Sequence, residues 1–416
     1  MLASLSQVRS LLVAILMLML GAGFLTTLVG VRLQGSGVDP LVIGIVVTSY
    51  FAGLTAGSLQ APAIVQRVGH IRAFAAFVSL LSASTLAYAI IQSPLLWTGL
   101  RFIDGCCIAG VYVCLESWLN DQAEGDARGG VLAGYMIALY TGQGLGQLLL
   151  NISDQAPSMP FVVASMLISL AVLPVALTRK MGPTIGSNSY LPIRALYAIS
   201  PLGIVGAAVT GVMLGAFYGL GAVYARELGL SVSATAWFMT TVILGGVALQ
   251  WPLGRLSDRF DRRLVIIAVF AGTVAAAFGL AMTGPGWQGL VPAALFGGFS
   301  FALYPLCVAH TNDHLMPEQR VGASGGLVLV YSLGSACGPL IVSGTMSLAG
   351  PSGLFLSIGV IASAILVFAL WRQFVGAPVP ADQQGAYQVL PRTTPVSARL
   401  DPLSSETVSN DMRSDR

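Results

Sequence analysis

Three ionisable residues, Arg101, Asp104 and Glu116, lie in one apolar stretch of the sequence. On a helix, Arg101 and Asp104 are three residues apart and share a face, and Glu116 lies near the edge of that face. An ionisable group inside a membrane costs about 2.5–3.5 kcal/mol even on mild insertion scales, so its presence usually indicates a function. A carboxylate beside an arginine can bind and release a proton when the two groups separate. The pattern therefore predicts proton-coupling groups. The alternatives are a permanent structural ion pair for Arg101 and Asp104, and contact with water for Glu116.

The composition supports a membrane location for this stretch. Of 416 residues, 55% are hydrophobic and only 9% are charged, whereas soluble domains carry about 25% charged residues. With a net charge of +3, the chain has no basic face for nucleic acid. Its single lysine, Lys180, follows no glycine-rich phosphate loop, which argues against a nucleotide site.

Neither the cysteines nor the histidines suggest an enzyme, a metal site or a bound cofactor. The five cysteines lie in apolar stretches without metal-ligand spacing, and we interpret them as packing groups. The histidines, His70, His310 and His314, lie in predicted loops without a nucleophile nearby. We therefore expect a non-enzymatic membrane protein without cofactor or metal.

A helix needs about 20 apolar residues to cross a bilayer, and in lipid each span must be helical. The sequence predicts twelve such spans, at 10–32, 41–61, 73–92, 96–118, 129–151, 159–178, 201–224, 233–252, 264–283, 288–309, 322–346 and 352–374. We read the first as an uncleaved span rather than a signal peptide. The predicted cytoplasmic connections hold most arginines, whereas the opposite side holds only Arg32 and Arg226. Both termini are thus predicted to be cytoplasmic.

The spans divide into two halves of six. We predict a first six-helix bundle over 1–178, a cytoplasmic linker over 179–200 and a second six-helix bundle over 201–375. The tail, 376–416, is rich in Pro, Ser, Asp and Arg and is predicted to be disordered in the cytoplasm.

A charged motif, "GRLSDRFDRR" at 254–263, marks an internal repeat. Shifting the chain by 192 residues places "QRVGHIR" at 66–72 on "DRFDRRL" at 258–264, each between the second and third spans of a half. The same offset aligns Arg67 with Arg259, Gly105 with Gly297, Tyr112 with Tyr304 and Gly146 with Gly338. Two parallel six-span repeats are the architecture of one large group of transporters.

The motif also resembles the G-x-L-x-D-R-x-G-R-R signature of the major facilitator superfamily. The first half contains "SYFAGLTAGS", "RVGHIRAF", "RFIDGCCIAGVYVCLESWLND" and "ARGGVLAGYM", which resemble the YcaD-like branch of that superfamily. The resemblance implies two pseudo-symmetric bundles and transport by alternating access. It also implies a proton-coupling role for Arg101, since "RFIDG" is similar to the R-x-x-x-G motif of span four. The Gly-Pro motif typical of span five in exporters is absent, because "GLGQ" stands at 144–147.

In transporters that resemble this chain, the charged loops form a cytoplasmic latch. An acid near a helix N-terminus is stabilised by about 0.3–1 kcal/mol when exposed, and the repeat predicts that Asp258 lies close to Arg128. The alternative is that the arginines only set topology and bind lipid headgroups. The predicted latch residues are Arg67, Gly69, Gly254, Asp258, Arg259, Arg262, Arg263, Arg128 and Arg320.

A stripe of uncharged polar side chains on span five suits a cavity for a polar or amphipathic molecule. It comprises Tyr140, Gln143 and Gln147, which we take as cavity candidates, and continues to Asn151 at helical spacing. Bonding to neighbouring helices would explain the stripe equally well. Tyr112 continues the face of Arg101 and Asp104. The resemblance adds Tyr218 and Tyr304 as cavity candidates.

These features favour a secondary transporter in the cytoplasmic (inner) membrane that moves a small organic molecule, with proton coupling. We favour export slightly over uptake of a metabolite, and a non-transporting receptor or scaffold is the third possibility. We expect a monomer whose partners are its substrate, protons and membrane lipids.

Overall fold

The computed structural model describes residues 2–122, 128–154, 156, 158–177, 191–284, 286–375, 379 and 384–396. Most of the predicted linker and much of the predicted tail lie outside these residues. The described residues are folded almost entirely into α-helices. These are α1 (Leu2–Ala22), α2 (Leu25–Gly35), α3 (Pro40–Val68), α4 (His70–Ile90), α5 (Pro94–Gln122), α6 (Arg128–Gln147), α7 (Met159–Leu170), α8 (Val172–Ala176), α9 (Ile193–Ile199), α10 (Pro201–Glu227), α11 (Val232–Arg259), α12 (Arg262–Thr283), α13 (Leu290–Asn312), α14 (Pro317–Ala349) and α15 (Gly353–Val375).

Eleven stretches of the described helices are long and apolar enough to cross a membrane. They coincide with the predicted spans except the fifth, and the first and sixth spans each combine two helices, α1 with α2 and α7 with α8. The predicted fifth span corresponds to α6, which continues as a 3₁₀-helix at Leu148–Asp154. Its glycines and glutamines make its hydropathy signal weaker than that of the other spans, and its packing against α1 supports the predicted assignment.

The helices pack as two bundles with the same internal arrangement. In the first bundle α3 packs on α5 and α1 on α6, and in the second bundle α11 packs on α13 and α10 on α14. With an offset of 192 residues, each pair of the first bundle corresponds to a pair of the second. The paired packing agrees with the internal repeat that the sequence predicts.

Glycines at equivalent positions allow these close approaches. A Cβ atom on Gly105 would lie 2.1 Å from the carbonyl oxygen of Tyr50, and one on Gly297 would lie 1.9 Å from that of Val242. Gly297 lies 192 residues after Gly105, and Val242 lies 192 residues after Tyr50. The two contacts are therefore related by the repeat offset. Small residues let membrane helices pack backbone to backbone, so the repeat conserves the contact that sets the distance between two spans.

The bundles meet directly at one end, which we call the Asp39 end. There Ser347 Oγ donates to Asp39 Oδ1 at 3.0 Å, and Thr48 Oγ1 donates to the carbonyl oxygen of Ala336 at 3.0 Å. At the opposite end, which we call the Asp258 end, residues 384–396 lie between the bundles. We predicted disorder for this segment, but its Leu390 is buried in the core, because apolar residues within the polar tail find an apolar surface between the bundles.

Replacing Gly105 with Ala is expected to destabilise the protein by about 1–3 kcal/mol, because the added methyl group overlaps the Tyr50 carbonyl and forces the helices apart. The matched control is Gly99→Ala on the same helix, where a Cβ atom has open space and Ala is the better helix former. Thermal unfolding of the purified variants in detergent measures both. Equal melting temperatures for the two variants would contradict the role assigned to Gly105.

Candidate functional site

The charged pair of α5 is buried in the first bundle. Arg101 Nη1 lies 3.3 Å from Asp104 Oδ2, and both side chains are at most 1% exposed. Tyr88 on α4 donates its hydroxyl to the same carboxylate oxygen at 2.6 Å. The helical spacing thus brings the two residues together as the sequence predicts, and α4 adds a hydrogen-bond donor that has no signal in the sequence.

Two further helices hold the guanidinium of Arg101. Nη2 donates to Thr26 Oγ1 on α2 at 2.5 Å, and the guanidinium carbon lies 4.2 Å from the ring centroid of Tyr50 on α3. Tyr50 reaches this position because Gly105 lets α3 approach α5 closely. The pair is therefore fixed by four helices, which offsets part of the cost of burying two charges.

A cavity of roughly 120 Å³ lies between the bundles next to this cluster. Thr26 and Tyr50 contact Arg101 on one side and line the cavity on the other. The other lining residues come from both bundles and from residues 384–396, which we call the C-terminal segment. They are Met19, Ala22, Gly23, Thr27, Phe51, Leu54, Ile108, Tyr112, Gln143, Tyr218, Tyr331, Ser335, Arg392 and Thr393.

Three of the six predicted cavity residues line this space. Tyr112 and Gln143 belong to the first bundle and Tyr218 to the second. The Tyr218 hydroxyl donates to Gln143 Oε1 at 3.4 Å, so a polar contact crosses the cavity from one bundle to the other.

The other three predicted cavity residues are not among those that line the cavity, and they contact neighbouring groups instead. Tyr140 lies 5.6 Å from Phe301 and Tyr304 lies 5.1 Å from Tyr331, measured between ring centroids. Gln147 is buried and donates to the carbonyl oxygen of Gly23 at 3.1 Å. The contact of Gln147 therefore agrees with the alternative interpretation of the polar stripe, in which its side chains bond to neighbouring parts of the bundle instead of facing a cavity.

Glu116 lies farther along α5, towards the Asp258 end. It is fully buried and accepts a hydrogen bond from the Tyr135 hydroxyl at 3.0 Å. Its carboxylate also accepts hydrogen bonds from the hydroxyls of Thr393 and Thr394 in the C-terminal segment. The segment therefore covers the carboxylate of Glu116, for which contact with water was the alternative to a coupling role.

The predicted latch region also contacts this segment. Arg262 Nη1 lies 2.5 Å from Asp313 Oδ2, and Nη2 lies 3.4 Å from Asp258 Oδ1. The backbone of the segment completes the network, since Gly385 N donates to Asp313 at 3.0 Å and Tyr387 N donates to Asp258 at 2.7 Å. Burial raises the pKa of Asp313, although the charge of Arg262 opposes this shift. The approach of Asp258 to Arg128 stays a prediction.

The remaining latch residues lie at or near helix ends in both bundles. Gly69 joins α3 to α4 with a φ of +87°, a conformation that glycine adopts readily, and the ring of Tyr387 packs on Gly254. Arg67 and its repeat partner Arg259 are exposed, whereas Arg128 and Arg320 are half-buried.

Arg263 forms a local ion pair with Asp261, the residue that stands at the glycine position of the signature. The two side chains lie 3.0 Å apart. Burial of Asp261 opposes its ionisation, but the hydrogen bonds and charge of Arg263 outweigh burial and lower its pKa. The pair also caps the start of α12, because Asp261 Oδ1 accepts from the Arg263 backbone N–H at 2.9 Å.

Sequence reasoning missed several residues of the site. Thr26, Tyr50 and Tyr88 contact the charged pair from other helices, and Tyr331 lines the cavity. Phe301 is a further such residue, since its ring lies under Arg392. No spacing within the sequence marks these residues, because each one comes from a different helix than the group it contacts.

The family model of the Major Facilitator Superfamily matches residues 11–192 and 202–406. The chain belongs to the major facilitator superfamily. It is 30% identical to the uncharacterised MFS-type transporter YcaD of Escherichia coli (strain SE11), over 90% of this chain and 97% of the relative. It is also 30% identical to the protein of that name from Escherichia fergusonii, over 87% of this chain and 95% of the relative.

Solved structures agree on the fold. The nucleoside transporter NupG superposes with a TM-score of 0.72 at 14% identity, over 89% of this chain and 99% of that chain. A bacterial homologue of the human lysosomal transporter Spinster, in an inward-facing and occupied conformation, gives 0.69 at 16% identity, over 91% and 98%. The chain is thus an integral membrane protein of a transporter family with the two-bundle fold that the sequence predicts.

Replacing Asp104 alone with Leu is expected to destabilise the protein by about 3–5 kcal/mol, because Arg101 is then buried without its counter-ion. The double variant Arg101→Met, Asp104→Leu removes both charges and should recover most of that loss. Thermal unfolding in detergent compares the two variants with the unmodified protein. A double variant that is no more stable than the single one would show that the ion pair is not the source of the effect.

Proposed function

We propose that this protein is a proton-coupled secondary transporter that moves a small organic molecule across the cytoplasmic membrane by alternating access. The observation that carries the proposal is the cavity between the bundles, which adjoins the buried Arg101–Asp104 pair through Thr26 and Tyr50. Ligand sites combine apolar and aromatic side chains with placed polar groups, and this cavity is lined by both kinds, including four tyrosines, Gln143 and Arg392.

The contacts between the bundles support alternating access. At the Asp39 end, the bundles are joined by direct hydrogen bonds from Ser347 and Thr48. At the Asp258 end, a separate segment occupies the space between them, so rocking the bundles would open one end and close the other. With both termini in the cytoplasm, as predicted, the Asp258 end faces the cytoplasm.

The proposed coupling step depends on Thr26 and Tyr50, because both side chains contact Arg101 and also line the cavity. Cargo that displaces Thr26 or Tyr50 removes contacts of Arg101, which weakens its hold on Asp104. Asp104 then gains a proton as the neighbouring positive charge recedes, since an opposite charge nearby favours the ionised carboxylate. Glu116 is the second candidate acid, exposed to the cavity once the C-terminal segment leaves. We favour export, and the sign of the pH gradient that drives flux tests the direction.

Replacing Asp104 with Asn is expected to abolish concentrative transport while leaving downhill flux, because an amide cannot carry the coupled proton. A ligand panel screened by thermal shift identifies a cargo, and liposome flux under an imposed pH gradient measures its accumulation. The matched control is Asp121→Asn, because Asp121 is an exposed acid at the end of the same helix.

If the Asp104→Asn protein still concentrates cargo, Asp104 is not the coupling site, and Glu116→Gln then tests the second candidate. If the unmodified protein binds a ligand without flux, a receptor is the better description.

Cross-linking the Asp39 end is expected to stop transport reversibly. Asp39 Oδ1 and Ser347 Oγ lie 3.0 Å apart across the two bundles, so Asp39→Cys with Ser347→Cys should form a disulfide when the five native cysteines are replaced by Ala. Flux should fall to background on oxidation and return with reductant, whereas either single variant should be insensitive. Undiminished flux with the disulfide formed would contradict alternating access at this interface.

A further inference from the structure

The C-terminal segment, residues 384–396, is seated between the two bundles. Its Leu390 and Val396 are 6% and 2% exposed and share a hydrophobic cluster with Tyr112 of the first bundle and Phe301 of the second. The segment therefore touches both halves of the molecule, at the place where they must move relative to each other.

Backbone hydrogen bonds fix one end of the segment. Gly385 is held by both partners of the Arg262–Asp313 pair: its N–H donates to Asp313, and its carbonyl accepts from Arg262 at 2.7 Å. Tyr387 N donates to Asp258. These contacts place the following residues, including Arg392, inside the cavity.

Arg392 reaches the cavity between the bundles and forms part of its lining. Its guanidinium carbon lies 4.6 Å from the ring centroid of Phe301 and 5.6 Å from that of Tyr331. One of its N–H groups donates to the Tyr218 hydroxyl at 3.5 Å. The next residue, Thr393, donates to Glu116.

Within the described part of the chain, the charge of Arg392 has no direct counter-ion. Among the residues that the structure describes, no carboxylate lies within 4.0 Å of its guanidinium nitrogens. A buried charge is costly unless its surroundings replace water, and here aromatic faces and hydroxyls do so. A cation over an aromatic face gains about 2 kcal/mol when both are desolvated. The wall of the cavity is therefore suited to a planar cation.

From this geometry we infer that Arg392 occupies a cation subsite of the cargo cavity, so that the chain's own C-terminal segment competes there with an organic cation of the guanidinium class. The inference rests on the proposed function and names the substrate class. Because the segment is covalently attached, its effective concentration is high. Cargo binds well only when the segment has left the cavity.

The experiment releases the segment after the full chain has folded. A protease site inserted between residues 376 and 383 allows the purified protein to be cut, and the probes are phenylguanidinium and its uncharged analogue phenylurea. We expect phenylguanidinium to bind the cut protein at least about tenfold more tightly than the uncut protein, measured by calorimetry in detergent. Phenylurea should bind neither form well. Equal binding of phenylguanidinium to both forms, or equal binding of the two probes, would overturn the inference.

A peptide competition identifies Arg392 as the responsible group. The peptide QGAYQVLPRTTPV, residues 384–396, should displace phenylguanidinium from the cut protein, and the same peptide carrying Arg392→Gln should be at least about tenfold weaker. Equal potency of the two peptides would also overturn the inference.

These binding measurements need no transport, so they separate the inference from the proposed function. Cut protein that binds phenylguanidinium but carries no compound across liposomes would contradict the proposed function while supporting the cation subsite. Cut protein that transports a cargo but does not prefer phenylguanidinium to phenylurea would overturn the subsite alone.

Discussion

Placing charge inside an apolar molecule is the constraint on which the site depends. A charge removed from water must find a counter-ion, a set of hydrogen bonds or an aromatic face, and this protein uses all three. Arg101 is paired with Asp104 and held by Thr26 and Tyr50. Arg262 is paired with Asp313. Arg392 lies on aromatic rings instead, and this difference distinguishes it from the two paired arginines.

Backbone packing supplies the geometry that these charges need. Gly105 allows α3 to approach α5, which brings Tyr50 over the guanidinium of Arg101. The equivalent contact at Gly297 sets the spacing of α11 and α13 in the second bundle. The same structural unit thus occurs twice, but only the first copy carries a charged pair, since Ala293 and Phe296 stand at the positions of Arg101 and Asp104 under the repeat offset. The duplication therefore accounts for the helix packing of both bundles, whereas the charged pair proposed for coupling lies in the first bundle.

The cavity belongs to neither bundle alone. Gln143 and Tyr218 approach each other from opposite halves, so any rocking of the bundles changes the cavity and its polar contact together. The charged motif that resembles the family signature takes part in this arrangement from the Asp258 end, where Asp258 and Arg262 hold the backbone of the C-terminal segment. In the proposed cycle, release of that segment, opening of the Asp258 end and exposure of Glu116 are parts of one rearrangement.

The sequence by itself determined the membrane class, the two-bundle architecture, the repeat offset and the pairing of Arg101 with Asp104. These properties are local or periodic, because hydropathy, helical spacing and internal similarity can be read along a single chain. Tertiary structure alone decided which polar residues face the cavity, and it separated Gln143 from Gln147 although both lie on one face of α6. It also placed Thr26, Tyr50 and Tyr88 around the ion pair and residues 384–396 between the bundles. Those contacts join residues distant in sequence, and no periodicity encodes them, because they depend on how separate helices approach one another in space.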